Sequence, residues 1–196
     1  MSSSPQPVAD LLADLARGFG ELGVRWFLFG AQAAILHGST RLSADVDVTV
    51  DLGARRGRDL VDALSRHGFT LRVPDAEGFV DATRVVPLVH RASRMPLDIV
   101  LAGPGLEERF FARATERRVG DVPVPVVSAE DLVAMKILAG RPRDMEDVAS
   151  ILRTRRDIDV DAVRTVLRLL ERALDRADLV VELERALASV KPGPTA

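Results

Sequence analysis

The sequence predicts a mixed α/β half, residues 1–127, followed by an all-helical half, residues 128–190. Three observations carry that expectation. Short apolar runs alternate with helical patterns up to about Val127, helical spacing alone follows Ser128, and Ser128 itself opens the change with an acidic residue three positions on. Residues 191–196 read as a flexible tail.

Apolar residues at Val8, Leu11, Leu12, Leu15, Phe19 and Leu22 repeat with helical spacing, and Gly23 stops that first helix. Arg25 to Phe29 is an aromatic and apolar strand ending at Gly30, where Ala31 to Leu36 continue as good helix formers. From Asp45 to Asp51 acidic or polar residues alternate with Val46, Val48 and Val50, the pattern of a half-buried strand. A helix is expected from about Arg55 to His67, stopped by Gly68, then extended pieces at Phe69 to Val73 and Thr83 to His90. Leu97 to Leu101 reads as a strand, a helix after Pro104 carries Leu106, Phe110 and Phe111, and Val119 to Val127, with two prolines, reads as an edge strand. Beyond Ser128, Gly140-Arg141-Pro142 separates the first helix from the next, and a cleft between the halves is the expected active site.

The composition narrows the function classes. With no cysteine, disulfide frameworks, thiolate metal sites and thiol nucleophiles are excluded together. A net charge of -2 argues against a protein that coats nucleic acid by bulk electrostatics, although local arginine clusters at 55–58, 113–118 and 153–156 are either solvated faces or a discontinuous RNA track. No run approaches the roughly 18 apolar residues of a membrane span, and the N-terminus lacks a basic start followed by an apolar run, so the expectation is a cytoplasmic protein without a membrane partner.

The chemistry centres on Asp45 and Asp47. Two positions apart on a strand, they project from one face while Val46 points inward. Such a pair repels unless a cation neutralises it. Magnesium does so with hard oxygen ligands, and two ions about 3.5–4 Å apart can hold a triphosphate for in-line displacement. Asp98, on a second strand, is the candidate third ligand or general base. Gly30 lets backbone N–H groups approach an anion with no side chain in the way.

Phe29-Gly30-Ala31, His37-Gly38 and Arg41-Leu42-Ser43-Ala44-Asp45-Val46-Asp47-Val48 together resemble the signature of the polymerase-beta-type nucleotidyltransferases. Within them the chain most resembles the AbiEii-type toxins and related small bacterial enzymes. Leu132 to Val148, with Lys136, Arg141, Arg143, Asp144 and Asp147, resembles the family's lysine helix and the basic and acidic pattern that follows. The resemblance implies a polymerase-beta-like fold, a mixed sheet flanked by helices with a C-terminal helical bundle. It also implies that Gly30 contacts phosphate, that Asp45 and Asp47 bind magnesium with Asp98 as the third acid, and that Lys136 faces the nucleotide. Ala31 departs from the glycine or serine of many relatives, which leaves only backbone contacts there. Arg41 and Ser43 are candidate phosphate neighbours.

Helical phasing independently puts Lys136 on an apolar stripe, where a lysine either reaches the helix edge or meets a buried anion. Asp144 and Asp147 share a helix face and either look toward the nucleotide or pair with Arg141 and Arg143. The expected reaction moves a nucleoside monophosphate from a nucleoside triphosphate to a hydroxyl of RNA, a tRNA end above all, with an antitoxin as the protein partner. The alternatives are a lincosamide or aminoglycoside acceptor, and a non-catalytic nucleotide-binding or antitoxin module.

Overall fold

The computed structural model describes residues 7–74 and 76–190, so the expected tail at 191–196 lies outside the described residues. The first of two compact units comprises residues up to 32 together with 43–127. It is built on a seven-stranded mixed sheet: β1 (Arg25–Phe29), β2 (Val46–Asp51), β3 (Phe69–Leu71), β4 (Val85–His90), β5 (Pro96–Leu101), β6 (Thr115–Val119) and β7 (Val122–Val126), in the order β3-β4-β5-β2-β1-β7-β6. Its helices are α1 (Pro7–Leu22), α3 (Gly57–Arg66), α4 (Ala76–Thr83) and α5 (Leu106–Arg113). The helix α2 (Gly30–Leu36) begins in this unit.

Strand alternation decides what each face of the sheet meets. On one face Leu28, Val46, Val48, Val50, Leu97 and Ile99 are fully buried, and Phe19 of α1 packs against the neighbouring Trp26 at 5.3 Å between ring centroids. The other face carries Phe27, against which Phe110 and Phe111 of α5 pack edge-on at 6.5 and 4.9 Å. Register places Asp47 on this second face, because β1 pairs antiparallel with β2 and sets Phe27 opposite Thr49 and Phe29 opposite Asp47.

Three elements differ from the sequence reading. Residues 76–83 form α4, so Thr83 closes a helix, with its hydroxyl donating to the Phe79 carbonyl at 2.7 Å, and the strand begins only at Val85. The expected edge strand at Val119 to Val127 is a hairpin, and β6 is the edge while β7 lies inside. Its two-residue turn, Gly120-Asp121, makes Val119 and Val122 the hydrogen-bonded pair nearest the turn. Alternation then sends the missing N–H groups of Pro123 and Pro125 toward β1. Pairing between β1 and β7 is accordingly short, with Leu28 opposite Val126.

The second unit comprises 33–42 and the residues from 128 onward. It holds the rest of α2 and four further helices, α6 (Ala129–Ala139), α7 (Pro142–Thr154), α8 (Val160–Leu174) and α9 (Leu179–Val190). Ser128 caps α6 by accepting the Asp131 N–H at 3.1 Å, and Gly140 ends it at φ 64°. Pro142 then starts α7 at a position that needs no N–H. Since α6 packs against α7, α8 and α9, it is buried on most of its circumference. Among the described residues no helix is long and apolar enough to cross a membrane.

Candidate active site

Gly30 stands where β1 ends and α2 begins, at φ +67°, a backbone conformation that side chains with a Cβ disfavour. A Cβ there would lie 2.7 Å from Asp47 Cγ and 2.9 Å from Asp47 Cβ, and closer still to Oδ2. The glycine is therefore required twice, by the turn and by the carboxylate that fills the space beside it. Ala31, next in line, is buried and contributes its side chain to packing.

β2 and β5 run parallel with Asp47 opposite Asp98, so both carboxylates project from one face of adjacent strands. Strands in a sheet lie about 4.8 Å apart, which keeps the two acids neighbours. Both are half-buried, and Arg72 just beyond β3 pairs with Asp98 Oδ1. Asp45 precedes β2 and is exposed, with its N–H donating to Ser43 Oγ at 3.3 Å. The Ser43 carbonyl in turn accepts from Gln32 Nε2 at 2.8 Å, which ties the approach to β2 back to α2.

Carboxylate oxygens are the hard donors that magnesium takes. Asp47 and Asp98 in register, with Asp45 two residues before Asp47, supply a donor set of that chemistry. Among the described residues no group of three acidic or histidine side chains is already gathered as a metal site, and Arg72 occupies one Asp98 oxygen. A cation would have to draw Asp45 in and share Asp98 with Arg72. A cavity of about 230 Å³ lined by Asp51, Gly103, Glu108 and Phe111 lies at the far end of β2 and includes none of the expected site residues.

In the second unit the structure gathers Lys136, Arg41, Asp144 and Asp147. Lys136, on the buried α6, is only 5% exposed and donates to Asp144 Oδ1 at 2.9 Å and to Asp147 Oδ2 at 2.7 Å. Of the two surroundings its phasing allowed, the helix edge or a buried anion, Lys136 meets buried carboxylates of the chain itself. Asp144 also accepts from Arg141 Nε at 2.6 Å, and Asp147 from Ser39 Oγ at 2.7 Å and from Arg41 Nε and Nη2 at 3.4 and 3.2 Å. Burial pushes both carboxyls up. The hydrogen bonds from Arg141 and Lys136 to Asp144, and from Arg41, Lys136 and Ser39 to Asp147, outweigh it and leave both below the ordinary aspartate value. Arg143 is exposed.

Residues 13–191 match the profile of the family described as nucleotidyl transferase AbiEii toxin, type IV TA system. The chain belongs to the AbiEii nucleotidyltransferase family. It is a nucleotidyltransferase, and its sheet and flanking helices are the polymerase-beta-like fold. Solved structures of the same fold include the antibiotic-resistance factor ANT(2'')-Ia in solution, at a TM-score of 0.56 and 16% identity over 87% of this chain and 95% of that one. The lincomycin-bound lincosamide antibiotic adenylyltransferase LnuA follows at 0.52 and 16%, over 74% and 96%. A complex of ANT(2'')-Ia with adenylyl-2''-tobramycin aligns at 0.50 and 17%, over 94% and 99%. A search of curated protein sequences gives no match.

Against this AbiEii frame, two residues that the sequence reading passed over have defined places. Arg72 meets Asp98, and Ser39 meets Asp147. Neither carries a sequence signal, because Arg72 follows a three-residue strand and Ser39 sits in a loop, and their partners are 26 and 108 residues away. His37, His67 and His90 serve packing and local bonds, with Arg155, Glu21, and Ser93 and Asp14 respectively.

Proposed function

We propose that the chain moves a nucleoside monophosphate from a nucleoside triphosphate to a hydroxyl of RNA, a tRNA end above all, as the toxin of a toxin–antitoxin pair. The observation that carries the nucleotidyl-transfer part of this reading is the seat of Asp47: pressed against a glycine that nothing larger can replace, and in register with Asp98. Asp45, Asp47 and Asp98 would hold magnesium, which when bound neutralises the triphosphate and polarises the reacting oxygens.

The acceptor oxygen attacks the α-phosphorus, the bond from that phosphorus to the β-phosphate bridging oxygen breaks, and pyrophosphate leaves. Arg72 engages Asp98 Oδ1, so Oδ2 is the atom that would either join the magnesium or take the acceptor's proton. Gly30 and Ala31 offer backbone N–H groups to phosphate, and Ser43 fixes the approach to Asp45 through its two hydrogen bonds. The family's description as a toxin favours RNA and an antitoxin partner over a small-molecule acceptor.

The test incubates the intact chain with each α-labelled nucleoside triphosphate, magnesium, and either total RNA, an aminoglycoside or a lincosamide. Label is expected in RNA, and it should disappear with Asp47→Ala. Label in an antibiotic instead would overturn the acceptor, and equal labelling by Asp47→Ala would remove the carboxylate site.

A further inference from the structure

The sheet holds only part of the candidate metal set. Asp47 and Asp98 lie opposite each other on β2 and β5, and Asp47 is also in register with Phe29 of β1. β2 begins at Val46, so Asp45 stands just outside the ladder and no neighbouring strand fixes its backbone. Its carboxylate is exposed and has no hydrogen bond or ion pair among the described residues.

What holds Asp45 is a short relay from α2. The Asp45 N–H donates to Ser43 Oγ at 3.3 Å, a turn in which a serine side chain takes the place of a backbone acceptor. The Ser43 carbonyl accepts from Gln32 Nε2 at 2.8 Å. Gln32 is 8% exposed and stands in α2 between Ala31 and Ala33, both buried. An apolar side chain would suit that setting better, because a buried amide costs free energy unless its hydrogen bonds are made. Among the described residues the bond to Ser43 is the one its side chain makes. Gly30, earlier in the same turn, leaves the space beside Asp47. The first turn of α2 therefore sets both members of the Asp45 and Asp47 pair, one by lacking a side chain and the other through a buried amide.

We propose that Gln32 is a positioning residue for the metal: it holds Ser43, and through Ser43 the backbone of Asp45, so that the Asp45 carboxylate joins Asp47 and Asp98 around a divalent cation. The inference rests on the nucleotidyltransferase reading above and on its magnesium. Gln32 itself touches neither ion nor substrate. Groups that orient a metal ligand from outside are worth on the order of 10–100-fold in metal affinity. The relay reaches Asp45 through two bonds in series, so the lower end of that range, about tenfold, is expected.

The experiment titrates the full chain with manganese, following the free ion by its paramagnetic resonance signal, beside the magnesium concentration that gives half-maximal label transfer. Gln32→Leu, close in size and without a donor, should weaken manganese binding about tenfold and raise the magnesium requirement by the same factor, and excess magnesium should restore the rate. A role in folding alone would lower melting temperature and rate together and leave the metal requirement where it was, which would overturn the proposal. Beside Asp45→Asn, Gln32→Leu should weaken manganese binding no further. Effects that multiply would show that Gln32 acts on the ion without Asp45, and would overturn it too. Should Gln32→Leu not fold, Ser43→Ala releases the Asp45 N–H from a half-buried position. It is expected to weaken manganese binding a few-fold, and wild-type affinity there would overturn the relay. If the wild-type chain binds no manganese, or Asp47→Ala binds it equally well, the carboxylate site itself fails. That outcome is distinct from a chain that needs Asp47 for manganese and is indifferent to Gln32.

Discussion

Gly30→Ala puts one methyl group where the turn and the candidate carboxylate meet, and its cost divides into two parts. Holding an alanine at φ +67° costs about 1–2 kcal/mol. The methyl would also stand 2.7 Å from Asp47 Cγ, so Asp47 must leave its rotamer, at about 1 kcal/mol. Together these predict a loss of about 2–3 kcal/mol, and for a chain of this size that lowers the melting temperature by about 4–12 °C. Label transfer should fall much further than stability, on the order of a hundredfold, because a displacement of about 1 Å at a reacting group costs that much. Melting followed by circular dichroism and the labelling assay measure the two parts. The double variant Gly30→Ala, Asp47→Ala removes the two closest atoms and should recover the rotamer part of the melting loss while leaving the backbone part. A Gly30→Ala chain that melts with the wild type and transfers label at its rate would refute the account of this turn.

Two more predictions concern the buried charges of the second unit. Lys136→Met leaves Asp144 with Arg141, and Asp147 with Arg41 and Ser39, in a buried setting, and should destabilise by about 3 kcal/mol, measured by urea unfolding; unchanged stability would mean that the ion pairs contribute nothing. Both aspartates titrate below their ordinary value in the folded chain, so their contribution is complete above the unfolded pKa of about 3.9 and is lost as pH falls through the lower folded value. Stability from these groups should be flat from pH 5 to 7 and decline only below about pH 4. Asp147→Asn should flatten that acid limb, and an acid limb of unchanged depth would locate the sensitivity elsewhere.

Much of the fold was legible because the decisive signals are local. Gly30 between Phe29 and Ala31, and the alternation from Val46 to Asp51, mark a strand, a turn, a helix and a second strand without reference to anything distant. What was not legible depended on tertiary override. The helix α4 is short and has Gly78 in its interior, so its pattern is weak, and the Thr83 hydroxyl bonds back to the Phe79 carbonyl in its last turn. The prolines of β7 suggested a sheet edge. A proline, however, lacks a donor toward one neighbour only, and β7 stays inside the sheet by keeping its good donors for β6.

The candidate site divides along a different line. Sequence gives five aspartates in two clusters and one phased lysine, and a carboxylate reads the same whether it faces a metal or the protein's own cations. Burial separates them. Asp45 is exposed and Asp47 and Asp98 are half-buried, whereas Asp144 and Asp147 are 3% and 1% exposed with every oxygen engaged by lysine, arginine or serine. The Lys136 phasing left open a lysine that reaches the helix edge and one that meets a buried anion, and periodicity alone could not say that the next helix carries two buried carboxylates within its reach. Ser39 and Arg41, 108 and 106 residues from Asp147, settle what the second cluster is built to hold. It grips residues 39–41 by three hydrogen bonds from Ser39 and Arg41 to Asp147.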